Sequence, residues 1–107
     1  MKLKITEIEV GYLYMTSANQ YRAVLAMKNE FIIYAPSIEN SKPLTQESTS
    51  LPFNNQPFKK CQLITFAKKD YQLFDINGIK SIKHKLNDLQ IAEAIAQCNA
   101  TTALATF

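Results

Sequence analysis

Three side chains in this sequence could supply the thiol and the imidazole of a cysteine–histidine pair for nucleophilic catalysis. They are the only histidine, His84, and the two cysteines, Cys61 and Cys98. A Cys61–His84 pair would combine a thiol nucleophile with a base, but nothing in the local sequence favours that pairing. The cysteines lack the spacing of metal ligands, and the carboxylates are not clustered. The sequence therefore predicts a protein that is not an enzyme and that binds no metal or cofactor.

Basic charge is concentrated between residues 58 and 85, where seven lysines oppose two aspartates, while residues 1–57 are neutral overall. A basic surface that also carries aromatic rings is typical of proteins that bind single-stranded nucleic acid. Arginine, which base readout and bidentate phosphate contacts favour, occurs only at Arg22. The alternative is a lysine-coated solvent face. The candidate binding residues are Lys59, Lys60, Lys68, Lys69, Tyr71, Lys80, Lys83, His84 and Lys85.

Length and hydropathy predict one cytoplasmic domain over residues 1–107. A chain of 107 residues fits a single domain. The first ten residues alternate charged and apolar side chains and do not resemble a signal peptide. No run reaches the ~18 apolar residues of a membrane span. In such a chain the two cysteines are expected to be reduced and buried.

The elements that must position these residues begin with the β-prone stretch from Val10 to Ala35. It predicts three strands joined by two tight turns, one containing Asn19 and one at residues 28–30. Pro36 is expected to end the third strand. The alternation of Leu3 to Val10 predicts a further strand before them.

The second half of the chain is predicted to be more varied. Residues 36–57 hold all four prolines and predict a long polar loop, whose end is pinned by Leu51, Phe53 and Phe58. Residues 59–69 fit a helix slightly better than a strand. The Asn77-Gly78 pair predicts a two-residue hairpin in which Ile76 pairs with Ile79, Leu73 with Ile82 and Tyr71 with His84.

The C-terminal part predicts a helix over residues 87–100. Asn87 and Gln90 have the spacing of a capping box. The expected buried stripe consists of Ile91, Ala92, Ile95 and Cys98. Residues 101–107 fit a last helical turn, an edge strand or a frayed end. The fold class is thus α+β, with a curved antiparallel sheet or small SH3-like barrel and a C-terminal helix packed on it.

A weak motif in the first half resembles small phage and prophage proteins. Its residues are Val10, Gly11, Tyr14, Thr16, Gln20, Arg22 and Val24, and the run at Cys61 and Thr65–Ala67 is similar to the helix that follows in such proteins. The resemblance implies an SH3-like or partly open barrel. It also implies a mobile-element protein that inhibits host nucleic-acid machinery, for example a CRISPR or restriction nuclease.

Two functions follow as expectations. The first is a non-catalytic, stoichiometric interaction protein whose partner is a protein or a nucleoprotein complex, bound through the polar loop and the hairpin. Five tyrosines, a residue type enriched at interfaces, favour this function. The second is a small nucleic-acid-binding module that uses the basic segment 58–85. The oligomeric state is left open.

Overall fold

The computed structural model describes residues 1–38, 51, 53 and 55–107. The three strands predicted between Val10 and Ala35 are confirmed as β1 (Tyr12–Thr16), β2 (Tyr21–Lys28) and β3 (Phe31–Pro36). Both predicted turns use backbone with positive φ, which is 61° at Asn19 and 50° at Asn29. Asparagine tolerates this left-handed region better than most residues, so the two turns are locally encoded.

One antiparallel sheet forms the centre of the molecule. β4 (Lys59–Gln62) pairs with β3, so the strand order is β4-β3-β2-β1. β5 (Tyr71–Gln72) and β8 (His84–Lys85) pair with opposite ends of β1 along its outer edge. The predicted α+β class with a curved antiparallel sheet is confirmed. The alternative of a small SH3-like barrel is wrong, because the sheet does not close on itself.

One face of the sheet, called the helix face here, packs against α2 (Asp88–Gln97) and α3 (Thr101–Thr106). Its core includes alternate residues of the central strands, such as Leu13, Ala23 and Ile33. Leu51 and Phe53 are buried in the same core, which confirms that these side chains anchor the end of the predicted loop. The rest of that loop, residues 39–50, 52 and 54, lies outside the described residues.

The opposite face, called the aromatic face here, is covered by α1 (Leu63–Ala67) and the N-terminal segment. Tyr14, Tyr34, Phe66 and Tyr71 form its centre, with ring centroids 5.2 to 6.2 Å apart. Offset and edge-to-face contacts of this kind are favourable arrangements of aromatic quadrupoles. Because both faces of the sheet are covered, β3 is apolar on both sides, and this explains the continuous apolar run in its sequence.

The strand predicted from Leu3 to Val10 is wrong. The segment contains a 3₁₀ turn at Ile5–Glu7 instead. Both edges of β1 are already occupied, by β2 on one side and by β5 and β8 on the other. The hydroxyl of Tyr14 accepts from the Glu9 N–H at 2.9 Å and donates to the Glu7 carbonyl at 2.6 Å. These bonds tie the segment over the aromatic face, where Leu3 and Ile8 are buried while Ile5 and Val10 stay exposed.

The helix favoured for residues 59–69 covers only half of that segment. Residues 59–62 form β4, and helix α1 begins directly after them and ends at Ala67. Pairing with β3 overrides the helical pattern in the first four residues, since an available strand edge supplies backbone partners. Helical spacing then buries Phe66 and Ala67 against the aromatic face.

The hairpin at Asn77-Gly78 is confirmed in its central part. β6 (Phe74–Ile76) pairs with β7 (Ile79–Ser81), including the predicted Ile76–Ile79 pair. The pairs predicted further out are wrong. Tyr71 pairs with Thr16, and His84 pairs with Leu13, because both flanks of the hairpin join the outer edge of β1.

The capping box of the C-terminal helix is confirmed. The Asn87 side chain accepts from the Gln90 N–H at 2.8 Å, and the Gln90 side chain accepts from the Asn87 N–H at 3.0 Å. The buried stripe differs at one position from the prediction, because Ala94 is buried and Ala92 is exposed. The tail forms α3, so the helical alternative for residues 101–107 is the one that occurs.

Among the described residues, every helix is too short or too polar to cross a bilayer.

Candidate functional site

The predicted lysine-rich segment is divided by the fold between the two edges of the sheet. Lys59 and Lys60 lie on β4 at one edge, and Lys85 lies on β8 at the other. Four strand spacings separate these edges, which is roughly 19 Å at about 4.8 Å per spacing. The two groups of lysines therefore do not form one continuous strip across the sheet.

The remaining lysines lie in three further places. Lys68 and Lys69 are exposed after α1, next to β5, and Lys80 is exposed on β7 of the hairpin. Lys83 forms an ion pair with Glu9, and its Nζ lies 4.9 Å from the centre of the Tyr12 ring. Lys83 is thus already neutralised locally, whereas Lys68, Lys69 and Lys80 extend into solvent.

The two aromatic candidates of the segment are covered to different extents. Tyr71 is 2% exposed and its hydroxyl donates to the Phe66 carbonyl at 2.6 Å. Its ring belongs to the core of the aromatic face, so a base cannot stack on it in this conformation. His84 is half-buried on the helix face, with its ring 6.0 Å from that of Phe74. Desolvation lowers the pKa of His84.

The structure does not bring Cys61 and His84 together. Cys61 is on β4 and contributes to the aromatic face, while His84 is on β8 and contributes to the helix face. Burial raises the pKa of the Cys61 thiol and that of the Cys98 thiol, which favours the protonated form over the nucleophilic thiolate. Both cysteines are free thiols, and only Cys98 is fully buried.

The outer edge of β4, called the β4 edge here, presents backbone groups to solvent. Successive backbone N–H groups along this edge point alternately away from β3 and towards it. The N–H of Phe58 points away and donates to the Cys98 carbonyl, whereas the N–H of Leu63 points inward and donates to the Glu30 carbonyl. The N–H groups of Lys60 and Gln62 follow that of Phe58 by two and four residues, so they also point outward. Within the described part of the chain, nothing accepts a hydrogen bond from the backbone N–H of either residue.

Two depressions flank the β4 edge. The first, called the lysine–phenylalanine depression here, has a volume of about 270 Å³ and is lined by Lys28, Phe31, Lys60 and Phe107 together with Asn29 and Thr106. The Lys60 ammonium lies 5.3 Å from the centres of both the Phe31 and Phe107 rings. The second depression, of about 300 Å³, is lined mainly by the apolar residues Ile5, Leu63 and Ile64, together with Glu30 and Gln62.

Arg22 occupies the aromatic face. Its guanidinium carbon lies 4.8 Å from the centre of the Tyr34 ring and 5.4 Å from that of Phe66. One terminal nitrogen, Nη1, donates to the Tyr71 hydroxyl at 3.3 Å. The Nε atom is buried and lacks a hydrogen-bond partner in the described structure.

The sequence pattern alone does not predict Arg22, Lys28 or Phe31 as site residues. Arg22 enters it as the single arginine and as part of the motif that resembles small phage proteins, although a lone arginine on a mostly apolar strand is itself a signal. The grouping of Lys28 and Phe31 with Lys60 depends on the β3–β4 pairing, which brings together residues some thirty positions apart in sequence.

Comparisons with protein-family models, with curated proteins and with solved structures find no match to this chain. The resemblance to small phage proteins therefore stays a prediction.

Proposed function

We propose that this protein is a non-catalytic interaction protein that binds an extended, acidic segment of a partner protein along the β4 edge. The unpaired backbone N–H groups of Lys60 and Gln62 carry the proposal, because an edge with free donors is a template for an added strand. Antiparallel or parallel addition would extend the sheet by one strand. The backbone bonds would supply affinity independent of the partner's sequence.

Charge at this edge favours an acidic partner. Lys28, Lys59 and Lys60 lie around it together with the carboxylate of Glu30, so these four residues carry a net positive charge. The ion pairs formed by the described residues, Met1–Asp70 and Lys83–Glu9, involve none of them. A second copy of the chain would present the same lysines, so like charges disfavour pairing between copies. Glutamate or aspartate side chains on the incoming strand would instead be attracted, and this difference provides specificity.

Apolar side chains of the same segment would occupy the two depressions. Successive residues of a strand point to opposite faces of the sheet. The incoming strand would therefore direct alternate side chains towards the lysine–phenylalanine depression on the helix face. The apolar depression at Ile5, Leu63 and Ile64 lies at the end of β4, where the chain enters α1. An apolar residue near one end of the partner segment matches this surface.

A narrower form of the proposal follows from the sequence resemblance. In it the partner belongs to host nucleic-acid machinery, and binding is the means of stoichiometric inhibition by a mobile-element protein. Co-purification of the protein with a purified CRISPR or restriction nuclease, followed by a cleavage assay, tests this form. Inhibition that is lost on Lys60→Glu would support it, and unimpaired cleavage at saturating protein would contradict it.

The edge itself is tested by fluorescence anisotropy with a labelled peptide of alternating glutamate and valine. We expect Lys60→Glu to weaken binding about tenfold, since attraction is replaced by repulsion worth ~1.4 kcal/mol in total. Gln62→Pro removes one outward N–H, and the φ of −71° at this residue already suits proline. Loss of one net hydrogen bond of ~1 kcal/mol predicts about fivefold weaker binding.

Lys80→Glu is the matched control, because it makes the same change of net charge on the exposed hairpin strand β7. Its binding is expected to stay within about twofold of the unmodified protein, since exposed charges far from a site are screened by salt. Equal weakening by Lys80→Glu and Lys60→Glu would contradict a site at β4. So would equal affinity for a peptide of alternating lysine and valine.

A further inference from the structure

The Asn77-Gly78 turn is the tip of a hairpin that stands apart from the central sheet. In the described chain its strands β6 and β7 pair with each other alone, through three residue pairs. Every residue from Asn77 to Ser81 is exposed, and Ile79 is 73% exposed. A short pairing with few buried contacts opens locally at a much lower free-energy cost than the core. The turn is therefore the part of this region that reaches open conformations most often.

The two residues of the turn are able to react with each other. A backbone nitrogen approaches the preceding asparagine side chain most easily when it belongs to glycine, which has no Cβ in the way. Asn77 is the only asparagine in the sequence that precedes a glycine. A Cβ built at Gly78 would meet no atom of the described residues within 4 Å, so the space beside this residue is open to water.

The Asp75 carboxylate holds the nitrogen that would react. The Gly78 N–H donates to Asp75 Oδ1 at 3.2 Å across the turn. While this bond lasts, the N–H is directed at Asp75, so attack on the Asn77 side chain requires that the bond breaks and the turn opens. Asp75 is also in register with Lys80 on β7. Mutation can therefore separate the effect of the hydrogen bond from that of the cross-strand pair.

We propose that Asn77 is a site of spontaneous deamidation and that Asp75 slows the reaction by holding the Gly78 N–H. The Gly78 nitrogen forms a bond to Cγ of Asn77 and loses its proton to water. The bond from Cγ to the side-chain nitrogen breaks, and that nitrogen takes up a proton from water and leaves as ammonia. Water then opens the succinimide ring at either carbonyl, which leaves aspartate or isoaspartate at position 77. The net charge of the protein falls by one.

The two products differ in their effect on the hairpin. Aspartate retains the turn, because Asp-Gly is a favoured pair for a two-residue hairpin loop. Isoaspartate adds one methylene to the backbone, so the turn no longer matches the spacing of the β6–β7 pair. Phe74, at the base of the hairpin, is 3% exposed and stacks on Tyr21 with ring centroids 6.1 Å apart. We expect the loss of pairing to stop at this residue and to leave the core intact.

Ageing of the purified full chain at neutral pH, followed by quantification of isoaspartate in each peptide, tests the site. We expect isoaspartate to accumulate at Asn77 about tenfold faster than at Asn87, which is also exposed but precedes the bulkier Asp88. Asn87 thus serves as an internal reference in the same sample. Equal accumulation at the two asparagines, or none at Asn77, would overturn the proposal.

Three variants test the role of Asp75. Asp75→Ala is expected to speed the reaction about fivefold, which is the equivalent of one net hydrogen bond. Lys80→Ala removes the same cross-strand pair but leaves the Gly78 N–H bonded, so its rate is expected to stay within about twofold of the unmodified protein. Asp75→Asn retains an acceptor oxygen and is expected to behave like Lys80→Ala.

Two outcomes would overturn the role assigned to Asp75. Equal acceleration in Asp75→Ala and Lys80→Ala would show that strand pairing alone sets the rate. A slower reaction in Asp75→Ala would show that the carboxylate assists the attack as a base.

Limited digestion with trypsin after Lys80 measures the effect on the hairpin, because proteolysis reports the population of the opened form. Aged protein that carries isoaspartate is expected to be cut there about fivefold faster than freshly prepared Asn77→Asp, which carries the other product. Equal cleavage of the two would overturn the predicted loss of pairing. None of these variants changes a residue of the β4 edge, so the result is independent of the test of the proposed function.

Discussion

Burial determines which of the predicted binding residues a partner can reach. Tyr71 is buried and donates to the Phe66 carbonyl, and Lys83 is held at the surface in an ion pair with Glu9. Lys59 and Lys60 are exposed on an edge strand and have no such partner in the described chain. Residue type alone does not distinguish these cases, because it is the three-dimensional fold that decides whether a lysine meets a carboxylate.

His84 gives the stability of the protein a predictable dependence on pH. Desolvation lowers its pKa in the folded state below the ~6.5 of an unfolded chain, so the unfolded state binds the proton more readily. The contribution of neutral His84 to the free energy of unfolding is therefore fully present above about pH 6.5. It is lost as the pH falls through 6.5 towards the folded-state pKa. Urea unfolding between about pH 7.5 and about pH 5.5 measures this slope.

His84→Gln is the matching variant. It is expected to remove the slope in that window, because glutamine does not titrate. Asp70, whose pKa is lowered chiefly by a hydrogen bond from the N-terminal ammonium, loses its contribution at lower pH and is common to both proteins. A slope that is the same in the variant, or a gain of stability on acidification, would contradict a desolvated histidine.

At the level of elements, the parts foreseen from sequence are those whose determinants lie within a few residues. The Asn77-Gly78 turn, the Asn19 turn and the Asn87–Gln90 capping box are all of this kind. The structural elements that the sequence did not predict depend on which strand edges are free to pair. The segment Leu3–Val10 alternates like a strand but finds both edges of β1 occupied. The β4 site could not be foreseen either, since it needs β3 as its neighbour.

The capping box makes a quantitative prediction for α2. Asn87→Ala removes the acceptor for the Gln90 N–H and is expected to cost about 1 kcal/mol of unfolding free energy. Asn87→Ser retains a capping oxygen and is expected to stay within a few tenths of a kcal/mol. Urea midpoints at constant m-value measure both. Equal destabilisation by the two variants would show that the cap contributes nothing specific to this helix.

At the scale of the whole molecule, the fold spreads lysines that are close together in sequence over distant parts of the sheet. The segment 58–85 is the most basic part of the sequence, yet its chain leaves β4, crosses the aromatic face in α1 and returns along the far edge of β1. The lysines at its two ends are consequently on opposite edges. A nucleic-acid strand running along one edge would therefore meet only some of them.

This separation predicts a shallow salt dependence for any binding of single-stranded DNA. The slope of log K against log salt is about −0.7 per phosphate neutralised. Lys28, Lys59 and Lys60 at the β4 edge allow a slope no steeper than about −2, whereas all seven lysines of segment 58–85 acting together would give about −5. Titration of labelled oligothymidine at several potassium chloride concentrations distinguishes the two values.

Two double variants locate the contacts in the same assay. Lys59→Gln with Lys60→Gln is expected to remove most of the slope, and Lys68→Gln with Lys69→Gln is expected to leave it unchanged, because the latter pair lies beside β5 at the other edge. A slope near −5 that both double variants reduce equally would show that DNA wraps around the molecule and contacts both edges. The nucleic-acid-binding function would then replace the acidic-segment proposal, since counterion release on that scale requires phosphate contacts along the whole basic segment.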